Sequence, residues 1–167
     1  ELRAAIQTSR PALAERFTSR QLEQRRVVIT AGPTLEAIDP VRFLSNHSSG
    51  KMGYALARAC ADAGARVVLI SGPVELSPPD RVKLISITSA LDLHKAALAE
   101  APGADLFIGA AAVADYRVQH PASGKMKKGD DDTISLTLVQ NPDIIAEVSH
   151  LERRPKMVVG FAAETHN

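Results

Sequence analysis

The 167-residue chain has few of the features that mark a disulfide-rich, membrane-spanning or nucleic-acid-binding protein. It has one cysteine, so an internal disulfide is excluded, and it has no run of about 18 apolar residues that would cross a bilayer. The formal net charge is +1 and 4% of the residues are aromatic, which gives no electrostatic or stacking argument for nucleic acid. We therefore expect a cytoplasmic protein with no membrane and no nucleic-acid partner.

The chain does contain enough apolar material, 45% of its residues, for one domain with a single core. Consecutive Val, Ile and Leu residues predict buried strands, and three helical patterns lie between them. The predicted strands are 27–29, 66–70, 82–87, 106–110, 133–139 and 157–161, and the predicted helices are 48–64, 89–100 and 142–151. This alternation predicts an α/β fold: an open, mostly parallel, Rossmann-like three-layer sheet with helices on both faces, whose C-terminal part we expect to be truncated.

The first predicted strand leads through a long polar loop into a helix, and this stretch organises the rest of the chain. Ser48, Ser49 and Gly50 open the helix, whose start offers free backbone N–H groups and a positive dipole end to an anion. We predict a phosphate site there; the alternative is a capped helix without a ligand. The glycine spacing fits neither a P-loop nor the dinucleotide fingerprint. The apolar face of the helix is predicted to comprise Met52, Ala55, Leu56, Ala59, Cys60 and Ala63.

Ligands of open α/β sheets bind at the C-terminal ends of the strands. Small residues, amides, a carboxylate and lysines follow those ends, in segments 45–50, 111–116, 125–128 and 162–164. Such a set suits a nucleoside triphosphate with Mg²⁺, because lysines neutralise phosphate oxygens and a carboxylate orients a metal ion or base. Plainer alternatives exist: the lysines can form a solvated loop, Asp115 can cap a turn, and Asn141 with Asp143 can start a helix.

Several long motifs, taken together and in order, resemble the bacterial phosphopantothenoylcysteine synthetase family, the C-terminal half of a bifunctional coenzyme A biosynthesis flavoprotein. They are residues 29–34 (Ile-Thr-Ala-Gly-Pro-Thr), 39–42 (Asp-Pro-Val-Arg), 45–53 (Ser-Asn-His-Ser-Ser-Gly-Lys-Met-Gly), 111–116 (Ala-Ala-Val-Ala-Asp-Tyr), 125–128 (Lys-Met-Lys-Lys), 141–144 (Asn-Pro-Asp-Ile) and 160–165 (Gly-Phe-Ala-Ala-Glu-Thr). The resemblance covers residues 26–167 and implies a synthetase domain that is incomplete at its C terminus. It implies that residues 1–25 are a linker or the tail of an upstream decarboxylase domain, and that FMN binds only in that upstream domain.

The resemblance also implies a reaction. The carboxylate of 4′-phosphopantothenate would attack the α-phosphate of CTP, and L-cysteine would convert the resulting acyl cytidylate into an amide. Mg²⁺ and a homodimer are expected, while the metal ligands stay unassigned. By motif, Asn46 would interact with the acyl intermediate, and Lys125 would bind the triphosphate in the first half-reaction. The nucleotide site would be lined by Ala111, Asp115, Lys125, Pro142, Asp143, Ile144, Ile145 and Phe161.

Two other classes of function stay open. An NAD(P)-dependent Rossmann reductase would need an acidic residue near the end of the second strand, where Ser71, Gly72 and Pro73 stand, so the sequence disfavours it. The other is a nucleotide-binding or dimerisation fragment without activity, because the chain stops six residues after the last predicted strand. No protein nucleophile is indicated, since Cys60 is predicted to be a core residue.

Overall fold

The structure is a computed structural model that describes residues 20–127 and 133–162. Strands and helices alternate through most of its length. In chain order the elements are β1 (Arg26–Ala31), β2 (Leu35–Ala37), β3 (Phe43–Ser45), α1 (Lys51–Asp62), β4 (Arg66–Ser71), β5 (Val82–Ser86), α2 (Ala90–Glu100), β6 (Leu106–Gly109), β7 (Tyr116–Val118), β8 (Leu138–Gln140), α3 (Ile144–Ser149) and β9 (Met157–Gly160).

Five strands form the main sheet in the order β5-β4-β1-β6-β9, and every neighbouring pair is parallel. The predicted open parallel α/β sheet is therefore confirmed. Strand β1 is central: β4 and β5 lie on one side of it, and β6 and β9 lie on the other. The strand order therefore reverses between β1 and β6, and such a topological switch point opens a crevice at the carboxyl ends of the two strands.

Alternate residues of the central strands supply two separate cores, one on each face of the sheet. Val27, Ile29 and Leu69 pack with α1 on one face, whereas Val28, Ile70 and other members of the second cluster pack with α2 and α3 on the opposite face. These strand residues are almost completely buried. Strands covered on both faces carry consecutive β-branched residues because neither face meets water, which explains why the sequence pattern identified them.

Helix α1 packs closely against β1, and it turns a different face to the core from the predicted one. Its buried residues are Gly53, Tyr54, Ala57, Cys60 and Ala61, whereas Met52 is 47% exposed. A Cβ on Gly53 would lie 2.5 Å from Cβ of Ala31, so the absence of a side chain sets how closely the helix approaches. Of the predicted face, Cys60 is buried and Leu56 is partly buried against the core, whereas Met52, Ala55 and Ala59 are exposed. The prediction was wrong for these three because it counted apolar residues and missed the small residues on which the close approach depends.

Several predicted boundaries also differ from the structure. Helix α1 begins at Lys51, so Ser48 and Ser49 precede it. Helix α3 begins at Ile144 with Asp143 as its N-cap, so Pro142 lies outside the helix. The predicted strand 133–139 is reduced to β8, because its antiparallel partner β7 is only three residues long. The small antiparallel pair β2-β3 was not predicted.

Some expectations fall on residues outside the described ranges, including Lys128, Glu164 and most of the proposed linker 1–25. Within the described part of the chain, no helix is both long enough and apolar enough to cross a bilayer.

Candidate functional site

The crevice at the switch point is built largely from backbone. Beyond the ends of β1 and β6 the two chain segments stay hydrogen-bonded: the N–H of Ala112 donates to the carbonyl of Gly32 at 2.9 Å, and the N–H of Thr34 donates to the carbonyl of Ala112 at 3.3 Å. This pairing extends the sheet by several residues. It carries Ala111 and the following loop to the carboxyl edge, where ligands of such sheets bind.

Two buried threonines fix this loop through hydrogen bonds to its backbone. The hydroxyl oxygen of Thr30 accepts from the N–H groups of Ala110 and Ala111, each at 3.2 Å, and that of Thr34 accepts from the N–H of Ala114 at 3.0 Å. Sequence reasoning missed both roles. The available signal was a pair of threonines bracketing the end of a strand that is otherwise apolar.

The start of α1 lies beside the end of β1. Gly50 caps the helix with φ +71°, and a Cβ there would lie 2.9 Å from Cγ1 of Val74 and 3.5 Å from Cα of Gly32. No side chain caps the helix, and the hydroxyl of Ser48 accepts from the N–H of Gly50 at 3.3 Å. The first amides of this 12-residue helix therefore have no side-chain partner among the described residues, and the phosphate site there stays a prediction.

The β2-β3 hairpin is hydrogen-bonded to the start of α2 and, through Asn46, to the loop that follows β6. The carboxylate of Glu36, which is 3% exposed, accepts from the N–H of Ala90 at the start of α2 at 2.8 Å. Asn46 follows β3 directly, and its Nδ2 donates to the carbonyl of Val113 at 2.9 Å. A side-chain amide has two N–H donors, so one donor of the exposed Asn46 amide remains for a ligand.

The tip of the same hairpin holds the segment that contains Lys125. The Asp39 carboxylate is fully buried and accepts from the guanidinium of Arg42 and from the N–H of Met126 at 3.2 Å. The bond from Arg42, together with backbone donors, holds the pKa of Asp39 well below its usual range, against the opposing effect of burial. Lys125 itself is exposed, and its side chain makes no hydrogen bond or ion pair to the described residues.

Asn141 connects two parts of the predicted nucleotide site. It is 7% exposed; its N–H donates to the carbonyl of Asp115 and its Nδ2 to the carbonyl of Ala114, both at 2.8 Å. Its expected role as the cap of α3 was wrong, because Asp143 fills that position and accepts from the N–H of Ala146 at 2.9 Å. The buried amide instead holds Asn141 beside Ala114 and Asp115.

The ends of β6 and β9 bring a third group of predicted residues together. The N–H of Phe161 donates to the carbonyl of Gly109 at 3.1 Å, and the Phe161 ring is 53% exposed. Ile145 lies over the same glycine, since a Cβ on Gly109 would be 2.3 Å from its Cδ1. Ile145 and Phe161 therefore lie near Ala111 at this end of the crevice.

The predicted site residues thus fall into three places. Asn46 and the start of α1 lie beside β1, the residues predicted to line the nucleotide lie beside β6 and β9, and Lys125 lies at the hairpin tip. Three strand residues, about 10 Å, separate that tip from Asn46. Among residues 20–127 and 133–162 no cluster of three or more His, Cys, Asp or Glu side chains is placed to hold a metal ion.

One groove lies outside this crevice. It measures about 510 Å³ and is lined by Arg26, Arg66 and others at the opposite end of the sheet, where β1 and β4 begin. At the carboxyl edge of the sheet, β4 ends at Ser71 and Gly72 follows it. A Cβ on Gly72 would lie 1.7 Å from the carbonyl oxygen of Pro33, so this position has no room for a side chain. An acidic residue that would bind a dinucleotide ribose does not fit there, which further disfavours the reductase.

The parallel sheet, its switch point and the crevice define the class of Rossmann-like α/β domains. Within that class, the chain belongs to the family described as the DNA/pantothenate metabolism flavoprotein C-terminal domain, which matches residues 22–167. This membership confirms the family resemblance given by the motifs.

Curated relatives extend the match. The chain is 54% identical over 157 residues to the coenzyme A biosynthesis bifunctional protein CoaBC of Haemophilus influenzae, covering 93% of this chain and 39% of the relative. It is 52% identical over 152 residues to the protein of the same name from Vibrio parahaemolyticus, covering 90% of this chain and 38% of the relative. The chain therefore spans about two-fifths of the length of these relatives.

A solved structure supports the same assignment. The crystal structure of the C-terminal domain of a coenzyme A biosynthesis bifunctional protein CoaBC superposes with a TM-score of 0.76 at 40% sequence identity. The match covers 89% of this chain and 69% of that chain.

Proposed function

We propose that this chain is the phosphopantothenate–cysteine ligase part of a coenzyme A biosynthesis protein, acting on 4′-phosphopantothenate, L-cysteine and CTP. The observation that carries the proposal is the family match over residues 22–167, with bifunctional relatives about half identical over nine-tenths of the chain. The crevice at the switch point supports it, because backbone amides and small residues there suit a nucleotide.

The proposed chemistry has two steps. In the first, a carboxylate oxygen of 4′-phosphopantothenate bonds to the α-phosphorus of CTP while the bond to pyrophosphate breaks. In the second, the amine nitrogen of cysteine bonds to the acyl carbon, loses a proton and displaces CMP. No protein nucleophile is needed, so the domain contributes positioning and charge stabilisation. The Cys60 thiol suits no nucleophilic role, because it is buried and burial raises its pKa.

Roles for individual residues follow from the motifs and the geometry. Asn46 directs its remaining amide donor to the acyl oxygen, and Lys125 neutralises the triphosphate as pyrophosphate departs. Another set of residues lines the cytidine nucleotide: Ala111, Asp115, Pro142, Asp143, Ile144, Ile145 and Phe161. The free amides at the start of α1, after Ser48, Ser49 and Gly50, bind a phosphate of either CTP or 4′-phosphopantothenate.

The remaining cofactors and partners are part of the same proposal. Mg²⁺ would enter bound to the triphosphate, since magnesium in nucleotide sites is held largely by phosphates and water. FMN would belong to another part of a longer cytoplasmic protein in which residues 1–25 form the linker. A homodimer would complete the site.

Two variants with a matched control test the proposal on the full chain. Lys125→Gln should abolish formation of the acyl cytidylate from labelled CTP, while Lys95→Gln, which changes an exposed lysine of α2, should leave it unchanged. Asn46→Asp should still consume CTP and accumulate the mixed anhydride, because a carboxylate cannot donate to the acyl oxygen. Its transfer to cysteine should slow about a hundredfold or more, the scale of one lost oxyanion donor.

Quench-flow measurements without and then with cysteine separate the two steps, and calorimetry compares CTP with ATP and NADPH. Binding of CTP without pyrophosphate release would support the inactive nucleotide-binding module instead. Preferential binding of NADPH would support the reductase.

A further inference from the structure

The turn of the β2-β3 hairpin contains more hydrogen bonding than a turn requires. Asp39 Oδ1 accepts from the N–H groups of Val41 and Arg42, both at 2.8 Å, and these two bonds close the turn. Asp39 Oδ2 faces a different part of the molecule, where it accepts from Arg42 and from the N–H of Met126. A carboxylate needed only for the turn would leave its second oxygen to water, whereas this side chain is fully buried.

Arg42 completes the connection. Its Nε donates to Asp39 Oδ2 at 3.0 Å, and its Nη2 donates both to Oδ2 and to the carbonyl of Met126, the latter at 3.1 Å. Both backbone polar groups of Met126 are therefore bound by one ion pair. A second tie lies nearby, where the N–H of Ala122 donates to the carbonyl of Ile38 at 2.9 Å.

These bonds hold the residue next to Lys125. A lysine side chain has four rotatable bonds, so only its backbone can fix the volume that its ammonium group explores. The Asp39–Arg42 pair fixes that backbone to the same hairpin that carries Asn46 at its base.

We propose, resting on the function proposed above, that Asp39 is a positioning residue that holds the segment of Lys125 over the crevice through the backbone of Met126. Asp39 touches no substrate in this proposal and acts through Lys125. Its loss should therefore slow the first half-reaction, in which pyrophosphate leaves, and spare the second. A displacement of about 1 Å in a charge-stabilising group can lower a rate about a hundredfold.

The kinetic test compares the two half-reactions on the full chain. Asp39→Asn should slow single-turnover formation of the acyl cytidylate about ten- to a hundredfold, mainly in the rate at saturating CTP. Transfer of the accumulated acyl cytidylate to added cysteine should change by no more than about twofold, because Lys125 acts in the first half-reaction. Asp105→Asn is the matched control. Asp105 is also ion-paired, to Arg25 and Lys156, but it lies at the opposite end of the sheet. The Asp105→Asn variant should therefore form the acyl cytidylate at the same rate as the original chain.

A second measurement does not depend on activity. Trypsin cleavage after Lys125, followed by mass spectrometry, should be about tenfold faster in Asp39→Asn than in the original chain or in Asp105→Asn, because the released segment opens more often. This outcome keeps the proposal testable even where CTP chemistry fails, so failure of the proposed function is distinguished from failure of the positioning role.

Three results would overturn the proposal. One is cleavage after Lys125 that is no faster in Asp39→Asn than in the control. Another is formation of the acyl cytidylate at an unchanged rate in Asp39→Asn. The third is an equal loss in both half-reactions together with a lowered melting temperature, which would make Asp39 a residue of general stability only.

Discussion

Replacing Thr34 by valine tests how the crevice is held in place. The change keeps the shape of a fully buried side chain and removes the oxygen that accepts from the N–H of Ala114 at 3.0 Å. Ala114 is 7% exposed, so its N–H would have no ready access to water. Leaving a buried donor without a partner costs about 1–3 kcal/mol. For a chain of this length that corresponds to a fall in melting temperature of about 2–12 °C.

Thermal unfolding followed by circular dichroism measures this effect, and two variants control it. Thr34→Ser keeps the oxygen and loses one buried methyl group, worth about 1 kcal/mol. Thr88→Val makes the same chemical change at an exposed position whose hydroxyl makes no hydrogen bond to the described residues, so it should fall within about 0.5 kcal/mol of the original. Hydrogen exchange should show the Ala114 amide protected in Thr34→Ser and exchanging faster in Thr34→Val. Unchanged protection in Thr34→Val would refute the role of the hydroxyl.

Two further predictions concern other positions. Gly72→Ala should destabilise the chain by about 1–3 kcal/mol or prevent folding, because the new Cβ would meet the Pro33 carbonyl oxygen at 1.7 Å. Urea titration measures this change. The control is Gly124→Ala, whose new Cβ would have nothing within 4 Å and which should be neutral or slightly stabilising. Asp105→Asn should lower stability at pH 7 and flatten its dependence on pH below about 4, because bonds from Lys156, the backbone of Arg26 and Arg25 hold the pKa of the carboxyl well below its usual range. A carboxyl with a lowered pKa stabilises the fold above its unfolded pKa and loses that contribution as the pH falls, so an equal loss for Asp105→Asn at pH 7 and pH 3 would contradict the assignment.

The sequence predicted the parallel sheet because burial on both faces leaves a local mark. Runs such as 67–70 and 106–110 are apolar at consecutive positions, and a short run of this kind bounded by turn residues is typical of a strand buried on both faces. The same reasoning placed the crevice, since the carboxyl ends of parallel strands share one edge.

The hairpin and its contacts could not be read in the same way. Strands β2 and β3 have three residues each, and Asp39 and Arg42 resemble ordinary surface residues of a polar loop until their partner is known. Asn141 looked like a helix cap for the same reason: its amide bonds to Ala114 and Asp115, which lie more than twenty residues earlier. Such roles depend on tertiary contacts, which a one-dimensional pattern does not record.

The bond between the hairpin turn and Met126 also has a consequence for synthesis of the chain. Asp39 and Met126 are 87 residues apart. At about 5–20 residues per second, a ribosome needs about 4–17 s to make that interval. The first three strands of the main sheet, which end at Ser86, are available for pairing well before it closes. Three strands of the main sheet are therefore synthesised before the residue that closes the hairpin tip, so the contact between Asp39 and Met126 cannot guide their pairing during synthesis.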